Sequence, residues 1–143
     1  MNVRQISIFL ENRAGRLEEI TRILGEAKIN IRALSLADTS DFGILRLIVN
    51  DTDAALSTLR KEGFTVRENE VIAVEVEDQP GGLHQVLSIL AQTGISIEYM
   101  YAFLERKTDK AVIIIRVEAA AKAIKSLQDA GLSLLKSEEV YKL

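Results

Sequence analysis

Residues 6–17 read ISIFLENRAGRL, and residues 72–83 read IAVEVEDQPGGL. In both stretches apolar residues alternate, an acidic residue and a polar residue follow, and a glycine comes shortly before a leucine. The two copies are 66 residues apart, and the same offset continues through the next helix and strand. After a turn that is two residues longer in the second copy, the offset becomes 68 and holds as far as Gly63 and Gly131. A period that changes only inside a turn indicates an internal duplication.

The first half of each copy predicts a strand, a helix and a second strand. Alternation over residues 6–10 is typical of a strand with one buried face, and Gly15 ends that strand. Apolar residues at helical spacing over 17–27 form one stripe, which predicts an amphipathic helix. A second strand starts near Ile29, and residues 39–43 have the composition of a turn.

The second half adds a strand, a helix and a strand. Residues 44–49 are almost continuously apolar, which favours a central strand. Asp51 or Thr52 can cap a second helix, and Gly63 stands where a helix C-terminal glycine belongs. A short fourth strand at 65–67 closes the unit. The order is βαββαβ, and the second copy repeats it to about residue 141.

Two βαβ units with right-handed crossovers give a four-stranded antiparallel sheet with both helices on one face. The fold class is therefore α+β, two ferredoxin-like plaits in tandem, each with strand order 4-1-3-2. We place the domains at 1–68 and 69–143, joined by the charged and solvated segment 68–70. The second strand of each plait lies at an edge and is open to pairing with another module.

Composition narrows the function classes. Apolar residues make up 48% of the 143-residue chain, aromatic residues 5%, and the net charge is −3. This balance argues against a nucleic-acid partner or an anionic membrane surface. No apolar run is long enough to span a membrane, and the N-terminus has no signal-peptide pattern. The chain has no cysteine, which excludes thiolate chemistry and agrees with a cytoplasmic protein.

The segment between the first strand and first helix of each copy is the candidate site. A glycine ahead of a helix leaves the first N–H groups unobstructed, and the helix dipole favours an anion such as a small carboxylate. Asn12 can both donate and accept hydrogen bonds, whereas Asp78 can only accept and would favour an ammonium group. Asn, Asp and Gly are also ordinary turn residues, so a purely structural loop is the alternative.

The run LENRAGRL from Leu10, with EDQPGGL in the second copy, resembles the opening of ACT domains, and the resemblance covers the whole chain. ACT domains are regulatory modules, most of which bind amino acids, and several control biosynthetic enzymes. In serine-responsive members an Asn in the loop and an Asn opening the second strand hold the ligand between paired domains. The residues that the resemblance and the loop chemistry place at the ligand are Asn12, Arg13, Ala14, Gly15, Arg16, Leu17, Asn30, Ile31, Asp78, Gln79, Gly81, Gly82, Leu83 and Ser96.

The first copy is also similar to the start of acetolactate synthase regulatory subunits, which bind valine. The second copy departs from the pattern, with Asp78 for the loop Asn and Ser96 for the strand Asn. The resemblance implies a regulatory protein that binds an amino acid at the interface between modules, modulates a biosynthetic enzyme and forms a homodimer. It implies no cofactor and no metal.

Three other functions compete with this one. An enzyme would need a catalytic set, and His84, the single histidine, has no companion for a triad or a metal site. An RNA-binding plait would need aromatic and basic residues on its central strands, and the third strand lacks stacking rings. Aromatic residues alternate along the second strand of the second copy, at Tyr99, Tyr101 and Phe103. This pattern favours side chains that cover a sheet face over side chains that line a pocket or a module interface. A structural assembly module without a functional ligand pocket is the main alternative.

Overall fold

The computed structural model describes residues 2–38, 41–104 and 108–143. Thr39 and Ser40, in the predicted turn, lie outside the described residues. The elements in chain order are β1 (Asn2–Glu11), α1 (Arg16–Glu26), β2 (Ile31–Asp38), β3 (Phe42–Val49), α2 (Thr52–Lys61), β4 (Thr65–Glu77), α3 (Gly82–Gln92), β5 (Ile97–Leu104), β6 (Lys110–Val117), α4 (Ala120–Asp129), β7 (Ser133–Leu134) and α5 (Ser137–Tyr141). Within the described residues no helix has the length and hydropathy required to cross a bilayer.

The chain forms two compact units. The N-terminal unit contains Arg4–Asn69 with Lys142, and the C-terminal unit contains Glu70–Tyr141 with the residues up to Val3 and Leu143. In the N-terminal unit the strand order is β2-β3-β1-β4, and in the C-terminal unit it is β7-β4-β6-β5. Both units therefore have the predicted 4-1-3-2 order, which confirms two ferredoxin-like plaits.

The N-terminal unit buries the alternating face of its strands against both helices. Ile8 of β1 pairs with Leu45 of β3, which also pairs with Leu36 of β2, so β3 is central as predicted. The side chains that are almost completely buried in this core include Ile6, Ile8, Ile20, Leu24, Leu45, Leu47 and Leu59. The apolar faces that the sequence predicts for the strands and for the helices thus pack against each other and form one core.

Local signals at the second helix are confirmed. The Asp51 carboxylate accepts a hydrogen bond from the Ala54 N–H at 3.1 Å, which makes Asp51 the N-cap. Gly63 follows the helix with a φ of +89°, a left-handed conformation that glycine adopts without a Cβ clash. Asp51 and Gly63 therefore define where this helix begins and ends.

The C-terminal unit repeats this plan around its own core. Val74 of β4 pairs with Ile113 of β6 on one side and with Leu134 of β7 on the other. The core residues from strands and helices are Ile72, Val74, Val76, Val86, Leu90, Ile113, Ile115, Val117, Ala123, Leu127 and Leu134. These positions are the counterparts of the core in the N-terminal unit, as the duplication predicts.

Two features differ from the prediction. The fourth strand does not end at residue 67: β4 runs for 13 residues through segment 68–70, and the exposed side chains there are Glu68 and Glu70. Charge keeps those side chains in solvent, but the backbone between them can still form a strand. The chain also ends in α5, which was not predicted. The Ser137 hydroxyl donates to the Asn2 carbonyl at 2.8 Å, and Val140 is buried.

Candidate functional site

The loop between β1 and α1 is tightly anchored. The Asn12 N–H donates to the Asp41 carbonyl at 2.8 Å, and the Arg13 N–H donates to the Glu11 carbonyl at 2.9 Å. Gly15 takes the N-cap position with a φ of +89°, and no side chain caps the helix. Only glycine accepts this left-handed backbone at little cost, so the glycine sets the sharp turn into the helix.

The loop between β4 and α3 repeats the same backbone hydrogen bonds. The Asp78 N–H donates to the Asp109 carbonyl at 2.9 Å, and the Gln79 N–H donates to the Glu77 carbonyl at 2.9 Å. Gly81 has a φ of +90° at the N-cap, again without a side-chain cap. The duplicated sequence therefore produces duplicated loop geometry, although the side chains differ.

The uncapped start of α3 leaves donors available. The Gly82 N–H donates to Gln79 and the Gln85 N–H donates to Gly81, both at 3.1 Å. Between them, the N–H groups of Leu83 and His84 have no protein acceptor within the described residues. Two adjacent free N–H groups at the positive end of a helix dipole are suited to a carboxylate.

The residue after the N-cap glycine distinguishes the two loops. In the C-terminal unit it is Gly82, which is buried, and a Cβ there would lie 2.4 Å from the Glu77 carbonyl oxygen. In the N-terminal unit it is Arg16, and its guanidinium bonds the Glu19 carboxylate at 2.9 Å and lies 4.7 Å from the centroid of the Phe64 ring. Arg16 thus already has an acidic partner, while its Nε is buried without one among the described residues.

A cavity of about 350 Å³ opens beside the loop of the C-terminal unit. It is lined by Val76, Glu77, Asp78, Gln79, Leu83, Met100, Tyr101, Ala102, Ala111 and Ile113. Three of these, Asp78, Gln79 and Leu83, are predicted site residues. Leu83 and Met100 are each 39% exposed although they are large and apolar. An apolar wall with polar groups at one end is the usual form of a small-molecule site.

The cavity wall formed by β4, β5 and β6 was not predicted. Its alternating apolar residues have the pattern of an ordinary core strand. One signal lies in the repeat itself: Ala102 occupies the position of Leu36 in the first copy, and both follow the same strand alternation. A smaller residue at one of two equivalent positions removes side-chain volume beside the loop.

The predicted residues at the start of the second strands lie elsewhere. Asn30 precedes β2, where its N–H donates to the Asn50 side chain at 2.9 Å, and Ile31 pairs with Val49. The loop end of β2 is marked by the pairing of Asp38 with Gly43. Seven residues of strand separate these two ends, about 23 Å. One module therefore does not bring Asn30 and Ile31 to its own loop.

Ser96 is likewise distant from the C-terminal loop, because it precedes β5, and the residues of that strand that line the cavity are Met100, Tyr101 and Ala102 in its middle. Within each unit the loop residues come together: Asn12 to Leu17 in one, and Asp78, Gln79, Gly81, Gly82 and Leu83 in the other. The strand-opening residues Asn30, Ile31 and Ser96 do not join them.

The remaining candidates have plainer roles. His84 is exposed in the first turn of α3, and the described residues contain no cluster of His, Cys, Asp and Glu able to hold a metal. Tyr99, Tyr101 and Phe103 are half-buried and pair in register with Arg116, Ile114 and Val112 of β6. Their alternation places all three on one face of the sheet, but Tyr101 also lines the cavity, which is the role that the sequence disfavoured.

The two plaits, each with a glycine-opened loop leading into a helix that no side chain caps, form a tandem pair of equivalent α+β modules. A family model described as ACT domain pair matches residues 1–143, so the chain belongs to the ACT domain family. ACT domains are regulatory, non-catalytic modules, and membership supports a regulatory ligand-binding role. No curated protein matches the chain.

Solved structures agree with this assignment. The chain is similar to protein BT0572 from Bacteroides thetaiotaomicron, with 40% identity, a TM-score of 0.95, and coverage of 100% of this chain and 98% of that one. It also has the fold of the regulatory subunit of aspartate kinase from Thermus thermophilus, with 16% identity, a TM-score of 0.63, and coverage of 89% and 91%.

Proposed function

We propose that this chain is a regulatory protein whose two modules, 1–68 and 69–143, bind an amino acid and thereby modulate amino-acid metabolism. The observation that carries the proposal is the 350 Å³ cavity next to the glycine-opened loop of the C-terminal unit. Three residues expected at the ligand from sequence alone, Asp78, Gln79 and Leu83, line it.

The chemistry around the cavity matches the three parts of an amino acid. The ligand carboxylate would accept from the free N–H groups at the start of α3, where the helix dipole favours an anion. The ammonium group would bind the carboxylate of Asp78. The side chain would enter the apolar part of the cavity, between Leu83 and Met100. This arrangement favours an amino acid with a small or medium apolar side chain.

We further propose that the complete site needs a second module. The loop and the strand-opening residue of one unit are about 23 Å apart, so they can contact one ligand only if the edge strands of two modules pair. Antiparallel pairing would bring the loop of one module to Asn30 or Ser96 of the other. A homodimer supplies such pairing, and the ligand would then stabilise one arrangement of modules over another.

The regulated partner would be a biosynthetic enzyme. The fold shared with a regulatory subunit of aspartate kinase supports a free-standing subunit that acts on a separate catalytic chain. Ligand binding would act by shifting the equilibrium between two arrangements of the modules, only one of which binds the enzyme. The size of that shift is set by the difference between the ligand's affinities for the two arrangements.

Calorimetric titration of the full chain with each of the twenty common amino acids tests the proposal. Saturable heat with a small set of apolar amino acids is expected, together with a change in the dimerisation constant measured by sedimentation. Flat titrations with all twenty would contradict ligand binding and favour the structural assembly module instead.

A further inference from the structure

A second cavity, of about 240 Å³, lies on the sheet of the N-terminal unit and is lined by Ser7, Phe9, Ile44, Thr65 and Arg67. Along β1 the residues Ile6, Ile8 and Leu10 belong to the core under the helices. Because strand side chains alternate, Ser7 and Phe9 point to the opposite face. The cavity is therefore on the helix-free face, separate from the loop and its helix.

Two phenylalanine rings stand exposed on this face. Phe9 of β1 is 50% exposed and Phe42 of β3 is 45% exposed, and their ring centroids are 5.1 Å apart at an interplanar angle of 24°. Phe42 thus occupies one side of the Phe9 ring, while Phe9 also lines the cavity. A planar ring placed in the cavity would extend this stack, the geometry that aromatic pairs prefer.

Arg67 supplies a positive charge at the same cavity. It is exposed, and no acidic side chain pairs with it among the described residues. By contrast, Arg4, Arg13 and Arg16 each lie within 4.0 Å of a carboxylate. The cavity also carries the hydroxyls of Ser7 and Thr65, of which Ser7 donates to the Asn69 side chain at 2.5 Å and keeps its acceptor capacity.

We propose that the helix-free face of the N-terminal unit binds a small aromatic carboxylate. The ring would stack on Phe9 against Ile44, and the carboxylate would accept a charge-assisted hydrogen bond from the planar guanidinium of Arg67. This ligand class and this face are independent of the amino-acid site, which lies beside the loops on the helix side.

Charge and size favour a small molecule over a macromolecule. Single-stranded nucleic acid binding requires several cations along its backbone, whereas the net charge of this chain is −3. The cavity is bounded by five residues from three strands, which suits one or two fused rings. A single arginine matches a single anionic group.

The test uses the full chain labelled with ¹⁵N and 2-naphthoate as the probe. Saturable shifts of the Ser7, Phe9 and Thr65 amide signals are expected. The neutral 2-naphthamide and the non-aromatic cyclohexanecarboxylate should each bind about tenfold more weakly, because each lacks one of the two interactions. Absence of saturation, or equal binding of 2-naphthamide, would overturn the proposal.

Single substitutions test which side chains contact the 2-naphthoate probe. Arg67→Gln should weaken 2-naphthoate binding by about tenfold and Phe9→Leu by roughly fivefold, whereas Arg60→Gln, on α2 and outside the cavity, should leave it unchanged. Arg67 and Phe9 are both exposed, and far-ultraviolet circular dichroism of each variant checks that it folds. Equal affinity of R67Q and the unaltered chain would overturn the proposal. So would self-association that F9L abolishes without any probe, or tighter binding of a uridine decanucleotide than of 2-naphthoate.

Discussion

Lys28 and Gly94 occupy equivalent positions in the two units and share a left-handed backbone, with φ angles of +62° and +72°. Each ends the first helix of its unit, and each N–H donates to a helix carbonyl at 3.1 Å, that of Gly25 for Lys28 and that of Ala91 for Gly94. The backbone turn is therefore the same, but only one copy uses the residue that adopts it without strain.

Lys28→Gly is expected to raise the free energy of unfolding by roughly 0.5–1 kcal/mol, because glycine removes the Cβ clash of the left-handed conformation. The matched variant Gly94→Lys should lower it by a similar amount. Urea unfolding of the two variants measures both changes. A destabilised Lys28→Gly chain would show that side-chain contacts of Lys28 outweigh the backbone strain.

Gly82→Ala is expected to destabilise the chain by roughly 1–3 kcal/mol, because the new Cβ would meet a backbone oxygen that cannot move without shifting β4. The clash distance is 2.4 Å, to the Glu77 carbonyl. Gly25→Ala is the control: it lies in α1 with open space around its Cβ position and should stabilise by up to about 1 kcal/mol. Thermal unfolding should therefore show a lowered midpoint for Gly82→Ala and a raised midpoint for Gly25→Ala.

Asp53→Asn is expected to have a pH-dependent effect. The Arg4 guanidinium bonds the Asp53 carboxylate at 2.6 Å, and this hydrogen bond, together with the charge of Arg4, holds the pKa of Asp53 below its ordinary value. A carboxyl with a lowered folded pKa contributes stability above its unfolded pKa and loses it as the pH falls through the folded value. Asp53→Asn should therefore lower the urea midpoint at neutral pH, and the difference from the unaltered chain should vanish in strong acid.

Arg4→Gln provides the control for this pH dependence. Arg4 also bonds Glu68, so the single substitution removes two contacts. In an Arg4→Gln background, Asp53→Asn should change the urea midpoint by the same small amount at every pH. A pH-dependent difference that persists in that background would mean that another group lowers the pKa of Asp53.

Asn12→Ala and Asp78→Ala are expected to weaken the proposed amino-acid binding by roughly 1–3 kcal/mol without unfolding the chain, because each would remove a polar partner from a charged group of the ligand. Both residues are exposed and both loops are fixed by backbone bonds that the substitutions leave in place. Gln92→Ala, at the other end of α3, is the control. The readout is the ligand-induced shift in the thermal unfolding midpoint, and shifts equal to that of the unaltered chain would remove the residue from the site.

The element order, the strand order and the loop positions could be predicted because each depends on local residue chemistry. Gly15 and Gly81 set the turns through their backbone freedom, and Asp51 caps a helix through a bond three residues away. The full length of β4 could not be predicted, because the charged residues at 68 and 70 have the pattern of a solvated connection. Alternating charges expose side chains and leave the backbone free to continue a strand.

The duplication, both plaits and the two loops follow from the amino-acid sequence, because its periodicity shows which face of each element is apolar. The folded structure was needed to show that Arg16 packs on Phe64, that the second loop lies beside a cavity, and that the exposed rings of Phe9 and Phe42 stack on each other. Periodicity identifies which face of an element is buried, but it does not show how completely the side chains of two packed faces fill the space between them. That depends on residues distant in the chain, such as Leu83 and Ala102, which the fold alone brings together.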